Sequence, residues 1–467
     1  MPASPKKTKP VATRGRDQER GKSVFSSFTS QLMSFGRDEL AVAFVYFVQG
    51  VIGLSSLAVT FYLKDKLKLE PAQVAALAGT QNLPWLIKPV YGFLSDSVPV
   101  LGYRRKSYLI MCGVLGAASW LVLYVSETPG VELLLCCTVL SSATIAMSDV
   151  IVDSMVVALS RSEDEGAAGA LQSLCWGSRA IGAIASSFVA GSLVENYGPR
   201  FVFGLTAALP VFTAAAGYLG REEKVPPLAR SEGESAAYAI LRKQVVALWK
   251  AVKLPSIYLP TFFMFVWRAA PTASTAMFFY FTEELNFTPE FVGQVKFVSA
   301  FASLGGVALY NIFLKRVSLR KIYFWSAIAG TTLGLSQLLL ITGVSKQLGI
   351  SDKVFAIGDE VILSALGEIA FLPSLVLAAK ICPEGVEASL FAAMMSIFNA
   401  GMVFSQFLGG VLTETIGVTG SDFSRLWLLV LICNLSSLVP VFFLFLVPSD
   451  EELKKTLGAK DDERKGA

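Results

Sequence analysis

Along most of the chain apolar residues run together in stretches of about 20 to 29, separated by short polar loops, where a soluble protein would show helical or strand alternation. Runs of that length cross a hydrocarbon core of about 30 Å as helices with some tilt. Twelve are predicted, at roughly 38–62, 71–95, 107–126, 131–159, 166–193, 200–220, 256–282, 289–313, 321–344, 354–380, 386–412 and 423–447. Residues 221–255, charged and broken by a Pro-Pro pair, cannot lie in lipid. They read as a linker between two six-helix bundles, 38–220 and 256–447, with a basic tail at 1–37 and a charged one at 448–467.

The pattern is interrupted within the runs as well. SDVIVDSMVV, residues 148–157, places Asp149 and Asp153 four residues apart, on one face of a helix. Arg179, Arg268 and Glu368 sit inside three other apolar runs. A charge stranded in hydrocarbon costs on the order of 3 kcal/mol, so each must meet a partner or an aqueous cavity. Glu368 lies 219 residues after Asp149 (368 less 149), and the same offset lays GSLVENYG (191–198) on GVLTETIG (410–417). It also lays Glu165-Gly166 on Glu384-Gly385, Gly182 on Gly401, Tyr91 on Tyr310 and Gln49 on Arg268. Matches of Glu and Gly at one spacing mark an internal duplication.

Composition agrees with the membrane reading: 53% of the 467 residues are hydrophobic and 16% charged, against about 25% charged in soluble domains. Mean hydropathy is +0.57. Most of the 40 Lys and Arg fall on the side shared by both termini and the linker, which predicts that side to be cytoplasmic, or stromal in a plastid. The net charge of +4 is largely this bias and supports no nucleic-acid partner. The first 30 residues are basic and Ser-containing as a transit peptide is, yet carry Asp17 and Glu19 and lack a signal-peptide apolar core.

Other chemistries find little to work with. The chain has no His and no Cys, Asp and Glu cluster at metal spacing, so neither a metal nor another cofactor is expected. No Walker motif is present, and a receptor would need an output domain that short tails do not offer. Cys112, Cys136, Cys137, Cys175, Cys382 and Cys433 lie in or beside apolar runs and read as small core residues. The expectation is a carrier, not an enzyme.

GFLSDSVPVLGYRRK, Gly92 to Lys106, resembles the loop between helices 2 and 3 of the major facilitator superfamily: a Gly, an Asp four residues on, then a Gly followed by basic residues. Asp96 with Arg104, Arg105 and Lys106 could make charge-assisted bonds that hold one gate shut. A longer set of segments, among them PWLIKPVYGFLSDSVPVLGYRRKSYL, SDVIVDSMVV, LQSLCWGS, SLVENYGPRFVFGLTA, FTPEFVGQVK, LGISDKVFAIGD, ICPEG and LWLLVLICNLSSLVP, is similar to plant- and cyanobacterial-type folate-biopterin transporters of that superfamily, from about residue 40 to about 447. The resemblance implies an all-α major facilitator fold of twelve transmembrane helices in two pseudo-symmetric bundles. It implies folate or pterin carriage by proton symport or exchange, in a monomer within a lipid bilayer. The membrane would be the plastid envelope of a plant or alga, or the cell membrane of a cyanobacterium.

It also implies that helices 1, 4, 7 and 10 line the central cavity, which brings Gln49, Asp149, Asp153, Arg268 and Glu368 together. The sequence departs from the family pattern in having Glu368, Arg268 and Arg179 where Gln, Gln and Ser are expected. The departures suggest a Glu368–Arg268 pair, and an Arg179 contact to Asp149 or Asp153. A carboxylate can accept the paired donors of a pterin edge or carry a proton, and Arg268 or Arg179 suits an acidic tail. Trp85, Trp176 and Trp267 are candidates for stacking on the ring. Lys88 and Lys296 match the family and are placed among gate residues.

Overall fold

A computed structural model describes residues 36–160, 165–222, 224, 246, 250, 252–381, 387–449 and 451–452. The sequence-based readings of the first tail, most of the linker, most of the last tail, Cys382 and the ICPEG loop lie outside the described residues. The described chain is a series of helical rods. In the first half these are α1 (Arg37–Lys66), α2 (71–97), α3 (Lys106–Val125), α4 (Val131–Ser160), α5 (165–198) and α6 (199–219). In the second half they are α7 (255–284), α8 (Pro289–Leu314), α9 (Leu319–Ile341), α10 (Asp352–Ile381), α11 (Glu387–Ile416) and α12 (Leu426–Leu446).

Local chemistry sets where the rods begin and bend. Pro71 and Pro289 open α2 and α8 at the first helical position, where a missing N–H costs nothing. Glu70 and Gln73 bond reciprocally across the start of α2, and the Thr288 hydroxyl accepts the Phe291 N–H at 3.2 Å at the start of α8. Gly198 divides α5 from α6: its φ of 80° and ψ of 164° suit glycine, and Pro199 follows. α7 unwinds after Arg268 and resumes at Ser274, with Pro271 in the gap. Among the described residues nine helical stretches are long and apolar enough to cross a membrane. α5 and α6 register together in that number, and the interrupted α2 and α7 fall outside it.

The halves repeat in structure, with one correction to the register. α1 and α7 both end in a π-helical turn, at Tyr62–Lys66 and Tyr280–Glu284. Each turn leads to a left-handed residue, Lys68 or Asn286, and then to Pro71 or Pro289, a spacing of 218 (289 less 71). The offset of 219 therefore does not extend to α1 and α7, and Arg268 corresponds to Gly50, not to Gln49. One residue of difference is invisible to a search for a single best spacing.

Contacts between the halves gather at the end away from the linker, here called the far end. Lys64 on α1 bonds Glu283 on α7, and Gly420 donates its N–H to Glu70 at 2.7 Å. The Glu290 N–H at the start of α8 is accepted by Glu195 of α5 at 2.8 Å. One apolar core mixes residues of both halves there, with Phe61, Leu63 and Val194 beside Phe279, Phe291 and Val292. Toward the linker end each half keeps its own core, around Tyr46 and Leu109 in one and Phe263 and Leu377 in the other. Packing of α2 on α11 continues further along the rods.

The closest approach is at Gly191 of α5, where a Cβ would lie 2.3 Å from the Pro289 carbonyl oxygen. Gly191→Ala should cost about 1–3 kcal/mol by forcing backbones apart. Gly305→Ala, with nothing within 4 Å of the new methyl, should be neutral or gain up to about 1 kcal/mol from helix propensity. Thermal unfolding of the purified variants in detergent checks the pair; equal midpoints would contradict this packing.

Candidate functional site

Mid-length in the first half, three helices converge on one carboxylate. Asp149 of α4, 4% exposed, accepts the Lys88 ammonium of α2 at 2.7 Å on Oδ2 and the Arg179 guanidinium of α5 at 3.2 Å on Oδ1. Each cation lies against an aromatic ring, Lys88 over Trp85 at 5.3 Å and Arg179 over Trp176 at 5.7 Å. Trp85 is fixed by its own Nε1–H, which bonds the Ser142 hydroxyl at 3.2 Å. A charge kept from water is stable only when paired and bonded, and Asp149 meets both conditions.

One turn along α4, Asp153 is exposed, and its Oδ1 accepts the hydroxyl of Tyr46 from α1. Gln49, one turn beyond Tyr46, donates its Nε2–H to the Ser148 hydroxyl at 3.3 Å, and its buried Oε1 has no partner among the described residues. Tyr46 and Lys88 are the members of this cluster that the sequence reading placed elsewhere or missed. A tyrosine on an apolar helix reads as core. Its one signal was its place three residues before Gln49, on the same helical face.

The second half does not repeat the arrangement. Glu368 of α10 corresponds to Asp149, but the position matching Arg179 is Phe398, and Val307 stands where Lys88 would recur. Arg268 approaches from α7 and lies over the Phe398 ring at 5.5 Å. Arg268 and Glu368 lie within reach of each other's charge, yet the ion pairs among the described residues do not include them. The expected Glu368–Arg268 bond is thus not formed here. Arg268 closes the first section of α7 just before the chain unwinds, and its side chain lies on the ring face.

The remaining candidates separate. Trp267 packs on Phe263 and Tyr323 in the second-half core, with ring centroids 5.9 and 4.7 Å apart. Lys296 of α8 is exposed and faces the charge of Glu360 on α10, a residue the sequence reading passed over. Neighbouring Asp359 accepts from Ser336 at 2.6 Å and Gln337 at 3.0 Å where α9 is irregular. At the linker end, Arg104, Arg105 and Lys106 present backbone N–H groups to the Glu222 carboxylate at 2.8–3.2 Å, which caps α3. The Lys106 ammonium lies over Tyr218 and Tyr103, and Asp96 is exposed. These gate candidates make no bond to the second half among the described residues.

What the arrangement can do follows from its charges. The first half presents a satisfied Lys88–Asp149–Arg179 centre and one acid, Asp153, bonded among the described residues only to a hydroxyl. The second half presents an acid and a guanidinium that are not bonded to each other. Such charges suit a polar molecule with hydrogen-bond donors and an acidic group.

Similar proteins fit this architecture. The chain is 44% identical over 425 residues to the folate-biopterin transporter of Synechocystis sp., covering 91% of this chain and 84% of that one. It is 31% identical over 426 residues to the probable folate-biopterin transporter 2 of Arabidopsis thaliana, covering 89% and 84%. Among solved structures it resembles the nucleoside transporter NupG with a TM-score of 0.65 at 16% identity, over 88% of this chain and 98% of that one. The D-xylose-proton symporter gives 0.65 at 13%, over 90% and 98%. The fold is therefore all-α and of the major facilitator type, and with residues 49–467 matching the BT1 family, the chain belongs to that family.

Proposed function

We propose that the chain is a secondary active transporter that carries folates and/or pterins across a membrane by alternating access, coupled to protons or running as exchange. The observation that carries this reading is the cluster around Asp149 and Asp153, which places charges mid-length in apolar rods, where ionisable groups mark substrate or proton pathways. Relatives named as folate-biopterin transporters support the cargo, since a pterin offers side-by-side donors for a carboxylate and a folate adds an acidic tail. Ties gathered at the far end, with separate cores toward the linker, suit a conformation closed at one end. Twelve spans in two bundles, a monomer, cytoplasmic or stromal termini, and a plastid envelope or cell membrane complete the proposal.

A carrier of a different organic anion is the second reading, favoured by Arg268 and Arg179, charges that depart from the family pattern. Uptake of labelled folic acid into vesicles containing the purified chain separates the two. Biopterin in excess should suppress uptake, while a nucleoside, D-xylose and an unrelated dicarboxylate should not. A pH gradient should drive accumulation if protons are coupled, and preloaded folate should if exchange operates. Suppression by the dicarboxylate and not by biopterin would favour the second reading.

A further inference from the structure

Asp149 and Asp153 share a helical face but not a situation. Asp149 has both oxygens committed to cations and is nearly enclosed. Asp153 is exposed, and its one bond among the described residues comes from the Tyr46 hydroxyl to Oδ1. The Tyr46 ring is 2% exposed and packed in the first-half core, so this hydroxyl is fixed from behind. Trp176 is 48% exposed, and its ring centroid lies 6.4 Å from that of Tyr46. The groups facing Asp153 are Tyr46 from α1, Lys88 from α2, Asp149 on its own helix, and Cys175 and Arg179 from α5.

Resting on the function proposed above, we infer that Asp153, oriented by Tyr46 and walled by Trp176, is the subsite for the heteroaromatic end of the cargo. Its ligand class is a flat ring carrying a ring N–H beside an exocyclic amine. Oδ2 and the remaining lone pair of Oδ1 accept these two donors side by side, as a carboxylate does from any forked donor pair. The ring then lies along the exposed face of Trp176. Asp149 cannot take this part without releasing a cation that would be left uncompensated. Arg268, exposed and outside any ion pair among the described residues, is across in the second half for the acidic end. Tyr46 acts as a positioning residue, holding the carboxylate plane.

Calorimetric binding to the purified full chain tests the assignment with two halves of a folate as probes, biopterin for the ring end and p-aminobenzoylglutamate for the tail end. Asp153→Asn puts a donor where an acceptor is needed. It should weaken biopterin about 10- to 100-fold while changing p-aminobenzoylglutamate by less than about 3-fold. Tyr46→Phe keeps the ring and removes the hydroxyl, and should move biopterin in the same direction by about 3- to 10-fold. Retained p-aminobenzoylglutamate binding shows that each variant is folded. Unchanged biopterin affinity in Asp153→Asn, or equal loss for both probes, would overturn the subsite while leaving folate uptake by the wild type as separate support for the function. A wild type that binds neither probe would overturn both.

Discussion

Asp149→Asn should reduce folate uptake by about 100-fold or more, the largest effect expected of any single change in the cluster. The substitution keeps the side chain's size but leaves Lys88, with a side chain 14% exposed, and Arg179 without the carboxylate they bond. Removing one partner of a buried ion pair costs about 3–5 kcal/mol, because the other charge stays desolvated. The two cations are not equivalent. Lys88 lies closer, at 2.7 Å, while Arg179 lies at 3.2 Å with a side chain 31% exposed. Lys88→Met should therefore recover more of the Asp149→Asn loss than Arg179→Met does. A double-mutant cycle on folding stability should give Lys88 and Asp149 a coupling of about 2 kcal/mol or more, and near-additive changes would show that the three groups do not form one centre.

Lys64→Glu should open the far end and leave the middle of the protein intact. Lys64 is 8% exposed and bonds both Asp65, at 2.6 Å, and Glu283 across the interface between halves. Reversal places three acids together where one cation held two, and like charges at such an interface repel by several kcal/mol. The population shift this implies is at least about 30-fold toward the far-end-open state. Because both acids are nearly half exposed, Lys64→Met alone should act much more weakly. Adding Glu283→Lys to Lys64→Glu restores an opposite-charge pair and should return far-end accessibility, measured by alkylation of a cysteine placed at Phe278, toward wild type. No recovery in the swapped pair would mean that the tie is incidental to closure.

Much of this architecture was legible because its causes are local. Length and apolarity mark the rods, and the i, i+4 spacing alone puts Asp149 and Asp153 on one face. Arg179 could be matched to the Asp149 and Asp153 pair because both helices are unbroken and depth follows from 1.5 Å per residue, and of the two acids it bonds Asp149. The same reasoning failed for Arg268 and Glu368. α7 unwinds from Ala269 to Ala273, so the end of its first section and the facing ring of Phe398 decide where the guanidinium goes. Lys88 illustrates a second limit: α2 is interrupted by a tight turn at Leu83–Ile87, and across that break helical spacing does not tell that the lysine meets Asp149. Tyr46 illustrates a third. Its role rests on a partner 107 positions away, and its place on the Gln49 face of the helix is too weak a mark to set it apart from core.

In the proposed transport cycle one cavity around Asp149 and Asp153 opens to the two membrane faces in turn as a folate or pterin is carried. The most direct test is paired cysteine alkylation in reconstituted protein from which the native cysteines have been removed. One new cysteine is placed at the far end at Phe278, and another toward the linker end at Met155, with biopterin or folic acid present or absent. Reciprocal changes are expected: a ligand that raises reactivity at one position lowers it at the other, and the Lys64→Glu change biases both in the far-end-open sense. Reactivities that stay fixed with either ligand, or that rise and fall together, would contradict it.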